Sequence, residues 1–231
     1  MIEEPPLLTV KRPKRRPTDA QIAAFQGVPT GFVADAMYGT GGLLGITPIG
    51  DGRDLSCVAA GPALTVDTGP SDILALVAGL AFITPGDIVV NAHGGHLRSA
   101  AAGDRVCGMM RNNGAAGFVT DGPMRDYAGV VAAGLPAWCA GLSPNSPVSN
   151  GPGRIGLPVQ IGGAEVETGD MIVGDRDGVV VVPFEDIDRV IAQLAVVAQL
   201  ETDLDAEVEA GLKVPGKIEE LLASDAVRYI E

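Results

Sequence analysis

Short apolar runs broken by glycine-rich turns fill most of the chain, and a long stretch with helical spacing follows them. Thr18 is placed to cap a helix running to about Phe25, with Asp19 near its positive end. A second helix is predicted from Thr30, with Phe32, Val33, Ala36 and Met37 on one face. The segment GTGGLLGITPIG reads as loop, and residues 56–67 as a strand with a Gly-Pro interruption. Residues 71–82 fit a largely buried helix capped by Ser71. A turn then leads into a buried strand at 87–92 and a glycine-rich loop.

Residues 97–113 have helical spacing, and Gly114 suits the position just past the end of that helix. Residues 115–122 form another apolar strand, 124–133 a short helix, and LPAWCAG a third strand. Residues 143–158 are loop-rich, and the remainder to 183 alternates short strands with turns. A long helix is expected over 184–211 and a last one over 215–226. Strand–helix–strand–helix–strand in the middle predicts parallel pairing and an α/β fold with a central sheet covered by helices.

Composition sharpens this outline. The 231 residues are 46% apolar but only 4% aromatic, so the core must be built from Ala, Val, Ile and Leu. A net charge of −13 argues against nucleic acid as a partner, because phosphate neutralisation needs an excess of Lys and Arg. Residues 1–18 are Pro-rich and charged and read as an N-terminal arm, with 19–231 as one domain. The basic run in that arm, Lys11 to Arg16, is expected to be solvated or to dock on an acidic neighbour. Cys57, Cys107 and Cys139 lack CxxC spacing and suit small core positions in a reducing compartment. No apolar leader and no uninterrupted apolar stretch of membrane-spanning length stands out, so the cytoplasm is the expected location and no membrane partner is expected.

The candidate chemistry lies between residues 91 and 126. Gly103-Asp104 opens a predicted helical turn, where the free amides of Arg105 and Val106 could hold an anion. Arg125-Asp126 follows a buried strand and an Asp-Gly turn, and strand ends are where α/β folds place ligands. If the two strands are neighbours, Asp104, Arg125 and Asp126 converge. Two carboxylates can hold a hard cation, and an Arg fork can grip a carboxylate. An Arg-Asp pair is also a common surface ion pair.

The Asp-x20-Arg-Asp arrangement, with GGLLGITP before it and GDRDGVVVVP after it, resembles class II 4-hydroxy-4-methyl-2-oxoglutarate and 4-carboxy-4-hydroxy-2-oxoadipate aldolases. The regulator of ribonuclease activity A is their non-enzymatic relative. The resemblance spans residues 28–211. It implies a swivelling β/β/α domain that assembles as a homotrimer or homohexamer. It further implies Mg2+ or Mn2+ held by Asp126 directly and by Asp104 through water. In the same way, Arg125 would bind a 2-oxo acid, with Gly103 and the Arg105 and Val106 amides at its carboxylate, and Glu201 would come from a neighbouring C-terminal helix. The implied activity is C–C cleavage to pyruvate, with oxaloacetate decarboxylation alongside. A non-catalytic binding protein, or a lyase or hydratase acting on another oxo or sugar acid, is the alternative.

His93 and His96 depart from the resemblance, as do Arg105 and Asn91. The two histidines, three residues apart beside the expected site, read either as a proton shuttle, substrate contacts or extra metal ligands, or as loop residues bonded to backbone. Arg105 could read an additional carboxylate or point to solvent.

Overall fold

The computed structural model describes residues 6–230. Residues 1–5 of the expected arm and residue 231 lie outside them. The strands are β1 Leu8–Val10, β2 Thr47–Pro48, β3 Ala59–Asp67, β4 Ile88–Ala92, β5 Gly117–Thr120, β6 Ala137–Cys139, β7 Gly153–Ile155, β8 Val159–Ile161, β9 Ala164–Val166, β10 Met171–Gly174 and β11 Val179–Val182. The helices are α1 Asp19–Ala24, α2 Thr30–Ala36, α3 Leu74–Gly79, α4 Asp104–Asn112, α5 Tyr127–Ala133, α6 Ile187–Glu209 and α7 Gly216–Leu222.

One sheet runs in the order β1-β7-β3-β4-β5-β6-β2, with β10 and β11 joined through β3. The expected parallel core is present: β3 pairs with β4, β4 with β5 and β5 with β6, all parallel. β3 is long enough to serve three neighbours, and at Val66 and Asp67 it also pairs antiparallel with β7. Its second half pairs with β4, and its first half pairs antiparallel with β10. The resulting α/β fold has one core around β3–β6 and a second beneath α2 and α6. Phe118, Trp138 and the three cysteines are buried, and burial raises Cys107 to about 12. Trp138 donates its indole N–H to the Asp175 carbonyl at 2.8 Å. The GDRDG turn has a mechanical role, since the Asp175 carboxylate accepts from the Thr30 amide and hydroxyl at the start of α2.

Several local expectations are corrected by packing. Residues 97–103 have helical spacing, yet α4 begins only at Asp104. The preceding alanines lie in a bent loop and spend their amides on other loops: Ala100 donates to Asn145 and Ala101 to Pro123. α3 starts at Leu74, and its first amide is held by Asp72 at 2.7 Å, while Ser71 sits at φ +63° and caps nothing. β7 lies in a stretch read as loop. Residues 8–16 are no free arm either. β1 pairs parallel with β7, Arg15 reaches Glu167, Asp170 and Glu185, and Arg16 pairs with Asp87, so the basic run docks on the chain's own carboxylates. No helix among the described residues is long and apolar enough to cross a membrane.

Candidate active site

Three parallel strands, β4, β5 and β6, deliver their following loops to the same end of the sheet. The loops continue the pairing: Met124 bridges in parallel to Ala102 on one side and Leu142 on the other. The Arg125 amide donates to the Ala102 carbonyl at 3.1 Å, and the Ser143 amide to the Met124 carbonyl at 2.9 Å. This backbone register brings Gly103-Asp104 beside Arg125-Asp126 across 20 residues of sequence. Both pairs line one cavity of about 340 Å3, together with Arg105, Val106, Ile73 and Pro147.

Contacts within the site are tight. The Asp126 carboxylate lies 3.2 Å from Arg125 Nε. A Cβ on Gly103 would come within 2.6 Å of Asp126 Oδ2, and one on Gly129 within 2.5 Å of Asp104 Oδ2. Two glycines therefore make room for the two carboxylates. Asp126 has φ +58°, in the left-handed region, and heads α5 without capping it. That conformation costs energy in a non-glycine residue and directs its side chain away from the helix it precedes. The Arg105 amide donates to Asp104 Oδ1 at 2.7 Å, so in this arrangement it serves that carboxylate.

The fit to a hard cation rests on these donors. Asp104 and Asp126 present carboxylate oxygens to one polar cavity, a set suited to Mg2+ or Mn2+. Among the described residues no group of three His, Cys, Asp or Glu gathers, so water and substrate oxygens would complete the shell. Sequence reasoning missed the wall opposite. Ser146 accepts a hydrogen bond from Arg125 Nη1, while Ile73 and Pro147 close the far side. Ile73 is held there by the Val148 carbonyl and by Asp72, which also accepts from the Asn150 and Gly151 amides. The signal for Ser146 and Pro147 was their place after β6, the next strand in the parallel set, whereas Ile73 follows β3.

The model for Aldolase/RraA proteins of the RraA-like family matches residues 30–181. The chain belongs to the RraA-like family. A Halalkalibacterium halodurans protein provisionally named 4-hydroxy-4-methyl-2-oxoglutarate aldolase is 37% identical over 163 residues, 70% of this chain and 76% of that protein. The crystal structure of an unusual member of the RNase ES inhibitor RraA protein family, from Streptomyces coelicolor, superposes with a TM-score of 0.74 at 28% identity, covering 83% of this chain and 100% of that one. An uncharacterized Pseudomonas syringae protein shares the fold at a TM-score of 0.72 and 23% identity, covering 87% of this chain and 97% of that one.

The matched RraA-like region contains Asp104, Arg125 and Asp126, and Glu201 lies beyond it. Glu201 sits on α6, which packs on α1 and α2 rather than on α4 or α5. It is absent from this chain's cavity and could serve a site only from a second copy.

Neither His93 nor His96 lines the cavity. His93 is fully buried behind the 121–125 loop, with its ring against Gly122 and Nδ1 3.2 Å from the Thr68 hydroxyl. Its amide donates to Asp121 Oδ1, which fixes one loop against the other, and the Gly95 amide takes Asp121 Oδ2 at 2.7 Å. Among the described residues Nε2 has no hydrogen-bond partner. Burial first, and then His96, hold the His93 imidazole below its ordinary value of 6.5, against weaker opposing pulls from Asp121 and Asp72. A lowered imidazole pKa leaves the unfolded chain binding more protons at mildly acid pH. Its contribution is therefore intact above about 6.5 and declines as pH falls below that. The urea midpoint should drop between pH 7.5 and 5.5, and His93→Gln should flatten that drop. Equal slopes in the two proteins would show that His93 is not the group responsible.

Proposed function

We propose that this RraA-like chain is a divalent-metal-dependent lyase. It cleaves a 4-hydroxy-2-oxo acid, of the 4-hydroxy-4-methyl-2-oxoglutarate or 4-carboxy-4-hydroxy-2-oxoadipate type, to pyruvate and a second oxo acid, and decarboxylates oxaloacetate as a side reaction. The observation that carries this reading is the meeting of Asp104, Arg125 and Asp126 in one cavity at the ends of adjacent parallel strands. The Halalkalibacterium relative's name points the same way.

Mg2+ or Mn2+, held by Asp126 and through water by Asp104, would supply Lewis acidity at the 2-oxo acid. Arg125 binds the oxo-acid end, and its guanidinium faces the charge that builds as the bond breaks. In cleavage the 4-hydroxyl loses its proton, the C3–C4 bond breaks, and its electron pair stays on C3 as the pyruvate enolate. The C4 oxygen becomes a carbonyl, and C3 then takes up a proton. Asp104 would hold the water that accepts the hydroxyl proton. Gly103 and the amides of Arg105 and Val106 border the pyruvate carboxylate.

A homotrimer or homohexamer belongs to the same proposal. Val196, Leu200, Leu204 and Val208 form an exposed apolar stripe on α6, four residues apart, which supports burial against another subunit that would bring Glu201 to a site. A second reading, a binding protein without catalysis, is supported by the likeness to the Streptomyces RraA relative. The assay that separates the two measures pyruvate release from oxaloacetate and from 4-hydroxy-4-methyl-2-oxoglutarate with Mg2+, with Mn2+ and with EDTA. Turnover that EDTA abolishes is expected. Metal-independent turnover, or none on either compound, would rule out the lyase as stated.

A further inference from the structure

Arg125 and Asp126 border two cavities rather than one. Beside the polar cavity described above lies a second, of about 310 Å3, bounded by Met124, Tyr127, Leu142, Ser143 and Pro144 and by the same Arg125 and Asp126. The Met124–Leu142 bridge fixes this second lobe, just as the Ala102–Met124 bridge fixes the first. The lobes therefore lie on either side of one backbone segment, and the reactive pair stands between them.

Their chemistry differs. The first lobe adds Asp104, Arg105 and the start of α4 to the shared pair. Every residue the second lobe adds is uncharged. Leu142 is 55% exposed within it, and the Tyr127 hydroxyl is turned to Asp54, donating at 2.8 Å. In the lyase reading Arg125 is committed to the oxo-acid end in the polar lobe and Asp126 to the metal, and the two also pair with each other at 3.2 Å. A carboxylate entering this lobe would lose hydration without gaining a free counter-charge, whereas a methyl group would lose water at no such cost.

We infer that the Leu142 lobe receives the substituent on C4 of the substrate and selects a small uncharged group there. This rests on the lyase reading and deepens it. Both candidate substrates carry a hydroxyl and a carboxylate on C4. They differ in the remaining group, methyl in 4-hydroxy-4-methyl-2-oxoglutarate and carboxymethyl in 4-carboxy-4-hydroxy-2-oxoadipate. The pyruvate half, common to both, occupies the polar lobe. Leu142 is then a specificity-determining residue.

The test compares kcat/KM for both compounds, with Mg2+, in the wild-type protein and in Leu142→Arg. Oxaloacetate decarboxylation, in which C4 is itself the leaving carboxylate, is measured alongside to show that the wild type is an active lyase. The wild type should favour the methyl compound by at least about tenfold, the size of discrimination a pocket without a matching partner provides. Leu142→Arg should shift the ratio toward the carboxymethyl compound by a similar factor. Leu142 is partly exposed, so the added length has room. A wild type that prefers the carboxymethyl compound, or an unchanged ratio in Leu142→Arg, would overturn the assignment while leaving the lyase reading intact. Absence of all three activities in the wild type would remove both.

Discussion

Asp126→Asn should lower metal-dependent pyruvate release by roughly 10²–10³-fold, the loss seen when one group that stabilises developing charge is taken from an active site. The substitution suits the question because it changes charge and little else. Asn occupies the left-handed region as readily as Asp, so the φ of +58° at the start of α5 is preserved. The side chain caps no helix amide, so folding loses no cap. What disappears is one negative charge beside Arg125 and one hard oxygen ligand. Thermal unfolding should stay close to the wild type, and added Mn2+ should raise the melting temperature of the variant less than that of the parent. Full activity in Asp126→Asn would place the metal elsewhere. Loss of activity together with a large fall in melting temperature would mark Asp126 as structural.

Arg16→Ala should be the most destabilising single change in the N-terminal segment. Asp87 is 5% exposed, and Arg16 is the cation that reaches it, with Arg16 Nη2 also donating to the Pro85 carbonyl at 2.8 Å. Even so paired, Asp87 is pushed above the ordinary carboxylate range by burial, against the pull of the Thr84 amide and Arg16. Removing the cation leaves a buried carboxylate alone. Full burial of both partners would make that cost about 3–5 kcal/mol, and because Arg16 is one-third exposed we expect about 2 kcal/mol. For a chain of this length that lowers the melting temperature by roughly 4–8 °C. The sign of the pH dependence follows from the raised carboxylate. Its protonated form is tolerated in the fold, so the deficit of Arg16→Ala should shrink at pH 5 and grow toward pH 8. Urea midpoints of the two proteins at both pH values provide the check, and a deficit that is constant with pH would mean that Asp87 stays ionised throughout.

Much of the fold was legible from period and punctuation. Thr18 and Gln21 form the capping box that the first helix needed, α6 lies within the helix expected from its spacing, and Gly114 sits just past α4 at φ +82°. The parallel set followed from alternating strands and helices. The candidate triad was readable as two dipeptides, Gly103-Asp104 and Arg125-Asp126, whose glycine and αL-tolerant aspartate are local signals of close approach.

The errors fall where distant segments compete for the same backbone groups. The alanine run at 100–102 has the composition of a helix, but its amides and carbonyls are claimed by the 123–125 and 145 loops. Asp72 displaces Ser71 as the cap because it also accepts from Asn150 and Gly151, nearly eighty residues away. His93 looked like a site residue and is packed behind the loop that carries the site. Residue type and spacing act over a few positions, and they were enough to name the elements and the reactive dipeptides. Which loops meet, which side chain is walled in, and that Arg125 and Asp126 stand between two lobes depend on strand order and register, which arise only when segments far apart in sequence pair and pack.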